Sequence, residues 1–270
     1  MIRRLLVLVV LTCGLCAPAL ADFDKGVTAY GEGDYQTAVR EFTESAQGGN
    51  SDAQVVLAIM YYKGRGVPRD YDHAVKWFRL AASQGRADAQ AVLGDMYYMG
   101  RGVPRDPSEA LKWYRAAADQ GDADGRRDLG LMYYQGEGVA QDFTEALKWY
   151  RLAAQQGNAG AQYDLGMMYY EGEGTEQDYL EAMKWIRSAA EQGQADAQMK
   201  LGANYVLGRG VPQDYLTGYM WLNLAASRLP AGESRDKAVK LRDSIAGKMT
   251  AGQIAKAQKL SRDWEPKESE

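Results

Sequence analysis

Apolar side chains between Ser51 and Gly85 fall at helical intervals. Ala53, Leu57, Met60 and Tyr61 stand at i, i+4, i+7 and i+8, which puts them on one face of a helix. The pattern predicts a first helix, A, over about 51–63, ending where Gly64 can take the left-handed conformation that closes a helix. The loop Gly64-Arg65-Gly66-Val67-Pro68-Arg69 follows, and Asp70 is placed as the N-cap of a second helix, B. Helix B carries Ala74, Trp77, Ala81 and Ala82 inward and closes at Gln84-Gly85. Asp106 with Glu109, Asp142 with Glu145 and Asp178 with Glu181 have the Asp-x-x-Glu spacing of a capping box. Pro107 sits at the first helical position, where its missing N–H does no harm.

The same pattern returns every 36 residues: Trp77, Trp113, Trp149, Trp185 and Trp221 are in step, as are the pairs Gly64/Gly66, Gly100/Gly102, Gly136/Gly138, Gly172/Gly174 and Gly208/Gly210. A period of this size means a stacked array in which each unit buries its apolar face against its neighbours. Such an array offers a long surface for partners and seldom a sealed catalytic pocket. Gly94, Gly130, Gly166 and Gly202 recur inside helix A, where glycine is unfavourable unless another helix approaches closely. The tryptophans are expected to be the large core partners of these small residues.

The run Ala-x-Ala-Gln-x-x-Leu-Gly-x-Met-Tyr-x-x-Gly-x-Gly-Val-x-x-Asp, followed by Ala-x-x-Trp-x-x-x-Ala-Ala-x-Gln-Gly, is most complete at Ala87 to Gly121 and resembles the Sel1-like repeat. The resemblance covers about 51–229. It implies an all-α, right-handed α-solenoid related to tetratricopeptide arrays, a fold used to scaffold or recruit other proteins; bacterial members are often exported. Gly125 in place of Ala, Ala140 and Glu176 in place of the loop proline, and Thr175 in place of Val depart from the pattern, so the third and fourth loops are expected to be looser.

The ends read as caps. Residues 22–50 form a shorter, tetratricopeptide-like pair with Ala29-Tyr30, Gly33-Asp34-Tyr35, Ala38, Phe42 and Ala46 at the expected offsets. Five repeats then occupy 51–229. A helical C-terminal cap over 230–264 shows one stripe of Ala238, Leu241 and Ile245 and another of Ile254, Ala257 and Leu260, the second after the capping-box pair Thr250 and Gln253. Trp264 and the charged tail 265–270 are expected to fray.

Residues 1–21 have the anatomy of a secretory signal peptide: Arg3 and Arg4, an apolar run from Leu5 to Cys16, then Ala19-Leu20-Ala21, with cleavage expected after Ala21. The apolar run is too short to span a bilayer, so no stable membrane insertion is expected once it is removed. Cys13 and Cys16 leave with it, which excludes disulfides, thiolate nucleophiles and cysteine metal sites from the mature chain. Loss of the two arginines takes the formal charge from −4 to −6, a poor match to nucleic acid or anionic lipid. The expected location is the periplasm or the medium, and a well-capped array is expected to be a monomer.

Four positions of helix A change type from copy to copy and lie on one stripe apart from the packed face. From these come the candidate partner-binding residues Val55, Ile59, Lys63, Val92, Asp95, Met99, Arg127, Leu131, Tyr163, Met167, Glu171 and Met199. The family's geometry makes helix A the concave side, so the expected site is an apolar groove with scattered charge that takes an extended or helical peptide. The loop charges, Arg65, Arg101 and Arg209 against Glu137 and Glu173, read as solvated. An envelope glycan or peptidoglycan binder is the alternative, and it would expose Tyr62, Tyr98, Tyr134 and Tyr170 in a row. A β-lactamase-like hydrolase is a weaker one. Ser234-Arg235-Asp236-Lys237 matches Ser-x-x-Lys but lacks its companion motifs, and His73 is the single histidine, without a nucleophile at a telling offset. No catalytic residue, cofactor or metal is expected.

Overall fold

A computed structural model describes residues 19–267, which form fourteen helices and no strand. All but the last three residues of the predicted leader lie outside the described residues. The chain divides into two compact units, the first ending at Gln141 and the second starting at Asp142, between the two helices of the third repeat.

The first unit holds α1 (Ala19–Glu32), α2 (Tyr35–Gln47), α3 (Ser51–Lys63), α4 (Tyr71–Ser83), α5 (Ala87–Met99), α6 (Pro107–Asp119) and α7 (Ala123–Gln135). Here α3, α5 and α7 are A helices, and α4 and α6 are B helices. The second unit holds α8 (Phe143–Gln155), α9 (Ala159–Glu171), α10 (Tyr179–Glu191), α11 (Ala195–Leu207), α12 (Tyr215–Arg228), α13 (Glu233–Ala246) and α14 (Ala251–Arg262). Its A helices are α9 and α11, and its B helices are α8, α10 and α12. This is an all-α solenoid fold of stacked helix pairs.

Each A helix ends on a left-handed glycine, Gly64, Gly100, Gly136, Gly172 or Gly208. Each B helix starts on an aspartate, Asp70, Asp106, Asp142, Asp178 or Asp214, whose carboxylate accepts backbone N–H groups of the first turn. Only half of each predicted Asp-x-x-Glu box forms. The backbone N–H of Asp106 donates to the Tyr97 carbonyl at 2.9 Å, and that of Asp178 donates to Tyr169 at 2.9 Å. With those N–H groups taken, Glu109 and Glu181 turn to Lys112 and Lys184, each at 2.7 Å. The box at Thr250 and Gln253 is complete.

The second loop glycine is a junction between repeats. At Gly102, φ is +69° and a Cβ would stand 2.4 Å from the Tyr71 carbonyl oxygen at the start of the preceding B helix. The third and fourth loops keep the tie found in the second. Gln141 and Gln177 donate to the carbonyls of Tyr134 and Tyr170 at 2.9 Å each, as Arg105 does to Tyr98 at 3.1 Å, so the loop is held at that position and does not need the proline.

Gly94, Gly166 and Gly202 do mark close approach, but the group that fills the notch is the residue after the tryptophan. A Cβ on Gly94 would lie 2.6 Å from the Tyr114 ring, and one on Gly166 would lie 2.6 Å from Ile186. Trp77 and Trp221 are buried, whereas Trp113, Trp149 and Trp185 are half-exposed. They flank the core and do not fill it.

A ladder of buried glutamines ties successive repeats. Gln90 donates to the Ala82 carbonyl of the preceding B helix at 3.1 Å and accepts from Gln120 at 2.7 Å. Gln54 with Gln84, and Gln162 with Gln192, repeat the arrangement. In the third copy Arg126 replaces the glutamine and donates to the Ala118 carbonyl at 3.2 Å.

At the C-terminus Ala238, Ile245 and Ala257 are buried while Leu260 is exposed, and Ser261 takes the inward position, accepting from Asn223 at 2.9 Å. Trp264 is docked, contrary to the frayed tail expected. Its ring lies 6.0 Å from that of Trp221, and the Arg228 guanidinium sits 4.4 Å over it. The backbone N–H of Lys267 donates to the Glu191 carbonyl at 2.8 Å.

Candidate functional site

In the first unit the predicted stripe splits by depth. Val55, Ile59 and Val92 are buried in the core, because the A helices there also pack on their flanks, so these three do not present a surface. Lys63, Asp95, Arg127 and Leu131 are half-buried, and Met99 is 51% exposed. In the second unit Tyr163, Met167 and Met199 are half-buried and Glu171 is exposed. Tyr163 and Met167 rest on one apolar cluster and Met199 on another. Burial, with Asp196 and Asp164 nearby, pushes the Tyr163 phenol up to about 12. Glu171 lies 3.8 Å from Lys200, whose ammonium also sits 3.4 Å over the Tyr170 ring. Leu207 takes the position equivalent to Met99 and is 55% exposed.

Three of the predicted residues converge. Val92, Asp95 and Met99 line a small cavity of about 20 Å³ with Tyr62, Met96 and Arg101. Behind it, Tyr114 donates to Asp95 Oδ1 at 2.8 Å. Burial raises the Asp95 carboxyl against the pull of this hydrogen bond, and burial followed by the Asp95 charge raises Asp128 well above the ordinary range. Pattern reading did not single out Tyr114, whereas Asp128 stands on the variable stripe of helix A, an acid where the first two copies carry Val56 and Val92.

The loop arginines prove structural. Arg65 and Arg101 donate to the hydroxyls of Tyr30 and Tyr62, and Arg209 donates to Tyr170 at 3.3 Å. Arg79 and Arg187, from B helices, donate to Tyr97 and Tyr205 at 2.7 Å each. The row proposed for stacking on sugar is thereby engaged: Tyr170 is buried, Tyr62, Tyr98 and Tyr134 are half-buried, and the Tyr98 hydroxyl donates to Gln135 at 2.8 Å.

Ser234 is exposed, and Lys237 pairs with Glu233 at 2.7 Å. His73 is exposed, holds Asp70 at 2.7 Å and stacks on Tyr61 with ring centroids 5.0 Å apart. Among the described residues no group of three or more His, Cys, Asp or Glu is placed to hold a metal ion, and no helix is long and apolar enough to cross a membrane.

No curated protein is significantly similar to the chain in sequence. Among solved structures, a Sel1 repeat protein from Oxalobacter formigenes is 32% identical, with a TM-score of 0.77 and coverage of 90% of this chain and 100% of that one. The structure of c5321, a protective antigen present in uropathogenic Escherichia coli strains and displaying an SLR fold, is 29% identical with a TM-score of 0.58, and the match covers 92% of this chain and 61% of that one. A Sel1 repeat protein from Klebsiella pneumoniae subsp. pneumoniae, 22% identical with a TM-score of 0.51 over 77% of this chain and 99% of that one, shares the fold. Proteins of this repeat class generally mediate protein–protein interaction, on a fold that is generally a non-catalytic scaffold. The profile of the Sel1 repeat matches residues 51–85, 87–122, 123–158, 159–194 and 195–228, and with its landmark glycines, capping aspartates and glutamine ladder in place the chain belongs to the Sel1 repeat family.

Proposed function

We propose that this chain is an exported adaptor that binds a protein or peptide segment along the open stripe of its A helices. The observation that carries the reading is the pair Met99 and Leu207, 51% and 55% exposed at the same register of two A helices. Packing and the glutamine ladder hold the array without them, so large apolar groups left in water there favour a docking role. The A helices of the first unit add half-buried Leu131 with Lys63, Asp95 and Arg127 as scattered charge, and those of the second unit add half-buried Tyr163, Met167 and Met199 with Glu171. That mixture suits an extended or helical peptide. The leader motif supports export, and the acidic mature chain argues against nucleic acid. Similarity to a protective antigen accords with an envelope or extracellular setting. The glycan alternative has lost its main support, because the tyrosines it requires are engaged by arginine and glutamine.

The test is capture of envelope proteins by the immobilised mature chain, compared with Met99→Glu and Leu207→Glu. Both sites are exposed, so each variant should keep its stability within about 0.5 kcal/mol. Loss of a specific captured protein in both variants supports the reading. Capture that is unchanged in both contradicts it.

A further inference from the structure

The acidic pair formed by α5 and α7 has no counterpart elsewhere in the array. Where Asp95 stands, the other copies carry Ile59, Leu131, Met167 and Ala203; where Asp128 stands, they carry Val56, Val92, Asp164 and Lys200. Within each unit the corresponding positions of successive A helices hold Ile59 with Val92 and Met167 with Lys200, neither of them two carboxylates. The fold plainly does not need them, and burying two like charges is unfavourable.

Asp95 spends one oxygen on the Tyr114 hydroxyl at 2.8 Å. Asp128 is 7% exposed, and its Oδ2 has no hydrogen-bond partner. Nearby cations do not supply one: Arg127 Nη1 is 3.9 Å from Asp128 Oδ1, beyond hydrogen-bond length, and Arg101 is held by the Tyr62 hydroxyl. The cavity at Asp95 is about 20 Å³, room for a single water-sized group; Val92, Met96 and Met99 are its apolar walls, and Tyr62 with the Arg101 guanidinium that it holds completes the lining. A carboxylate in a pocket walled largely by apolar side chains, with the unsatisfied oxygen of a second buried carboxylate near enough to feel its charge, matches an ammonium on a methylene stem. A planar guanidinium is too large for this space.

We infer that the A-helix face of the first unit receives a lysine side chain of the bound peptide, its stem along Met99 and its ammonium paired with Asp95, near the buried Asp128 of the neighbouring A helix. This rests on the peptide-binding reading above and names the chemistry of the partner.

The probe is n-butylammonium, a lysine head and stem without a backbone, added to the full mature chain while the ¹³C carboxyl signals of Asp95 and Asp128 are followed. A saturable shift of both, absent with potassium at the same ionic strength, is the expected result, and unmoved signals overturn the inference. In parallel, labelled decapeptides that differ only in a central lysine, acetyl-lysine, arginine or glutamate are titrated against wild type, Asp95→Leu and Asp128→Val. Each variant takes a residue that another copy already carries, so both should fold. The lysine peptide should bind at least about tenfold tighter than its acetylated form, and the preference should vanish in both variants. Equal binding of the two peptides, or a preference that survives the substitutions, overturns the inference. If Met99 and Leu207 capture a partner while butylammonium leaves the carboxyl signals in place, the binding face stands and the lysine socket falls. If the signals move and nothing is captured, the amine site stands and the binding face falls.

Discussion

Gln90 binds two repeats together with one side chain, giving its amide to the Ala82 carbonyl and its oxygen to Gln120. Gln90→Leu should cost about 1–3 kcal/mol in a urea melt, because it strands a buried carbonyl and an amide. A loss near zero would mean that water replaces the ladder. Gly94→Ala should cost a similar amount, roughly 1–3 kcal/mol, by driving a Cβ into the Tyr114 ring. The recurrence of glycine made the close approach legible, but which residue fills it was not. Trp113 and Tyr114 are neighbours about 100° apart on one helix, and only the actual crossing decides between them. The acids at this scale also set a pH dependence. Burial pushes the Asp122 carboxyl up to about 6 against the pull of the Gly125 N–H, and it raises Asp95 and Asp128 as well. Between the unfolded value of 3.8 and about 6, the folded state holds a proton at Asp122 that the unfolded chain has released, so stability rises as pH falls through that window. Melting should therefore occur at a higher temperature near about pH 5 than near about pH 7.5, and Asp128→Val should shrink the difference. A flat profile in the wild type would show that these carboxyls stay charged.

Helix ends are where pattern and structure part company. Asp-x-x-Glu predicts a reciprocal box, yet the N–H that the glutamate would cap is already donated to a tyrosine carbonyl across the loop. That acceptor belongs to the preceding helix, so no spacing within the motif reveals it. Asp106→Ala should therefore lower stability by roughly 1 kcal/mol, while Glu109→Ala, which loses an exposed pair with Lys112, should leave the melt nearly unchanged. Equal losses would restore the full box. The two-helix rhythm itself was legible throughout, since apolar spacing, glycine stops and aspartate starts all agree within each copy. The stripe on helix A was legible only as variation. Variation cannot separate Val55, Ile59 and Val92, which are buried, from Met99, which is not.

At the scale of the whole molecule, the second unit is closed by its own C-terminus. Trp264 packs on Trp221 and under Arg228, and Lys267 reaches Glu191. Charge and position made this segment look frayed, because one aromatic after a helix carries no sign of where it lands. Trp264→Ala should cost about 1–3 kcal/mol and raise hydrogen exchange in α12 and α14. Unchanged exchange would return the tail to solvent. The account's central claim is that the open stripe of the A helices meets a protein partner. It is tested most directly by photocrosslinking in intact cells from a reactive residue at Met99 or Leu207, with Lys112 and Lys184 on B helices as controls. The account predicts one identified protein, or a segment of it, captured from both stripe positions and from neither control. Equal capture from all four positions, or wall sugar in place of protein, would contradict it.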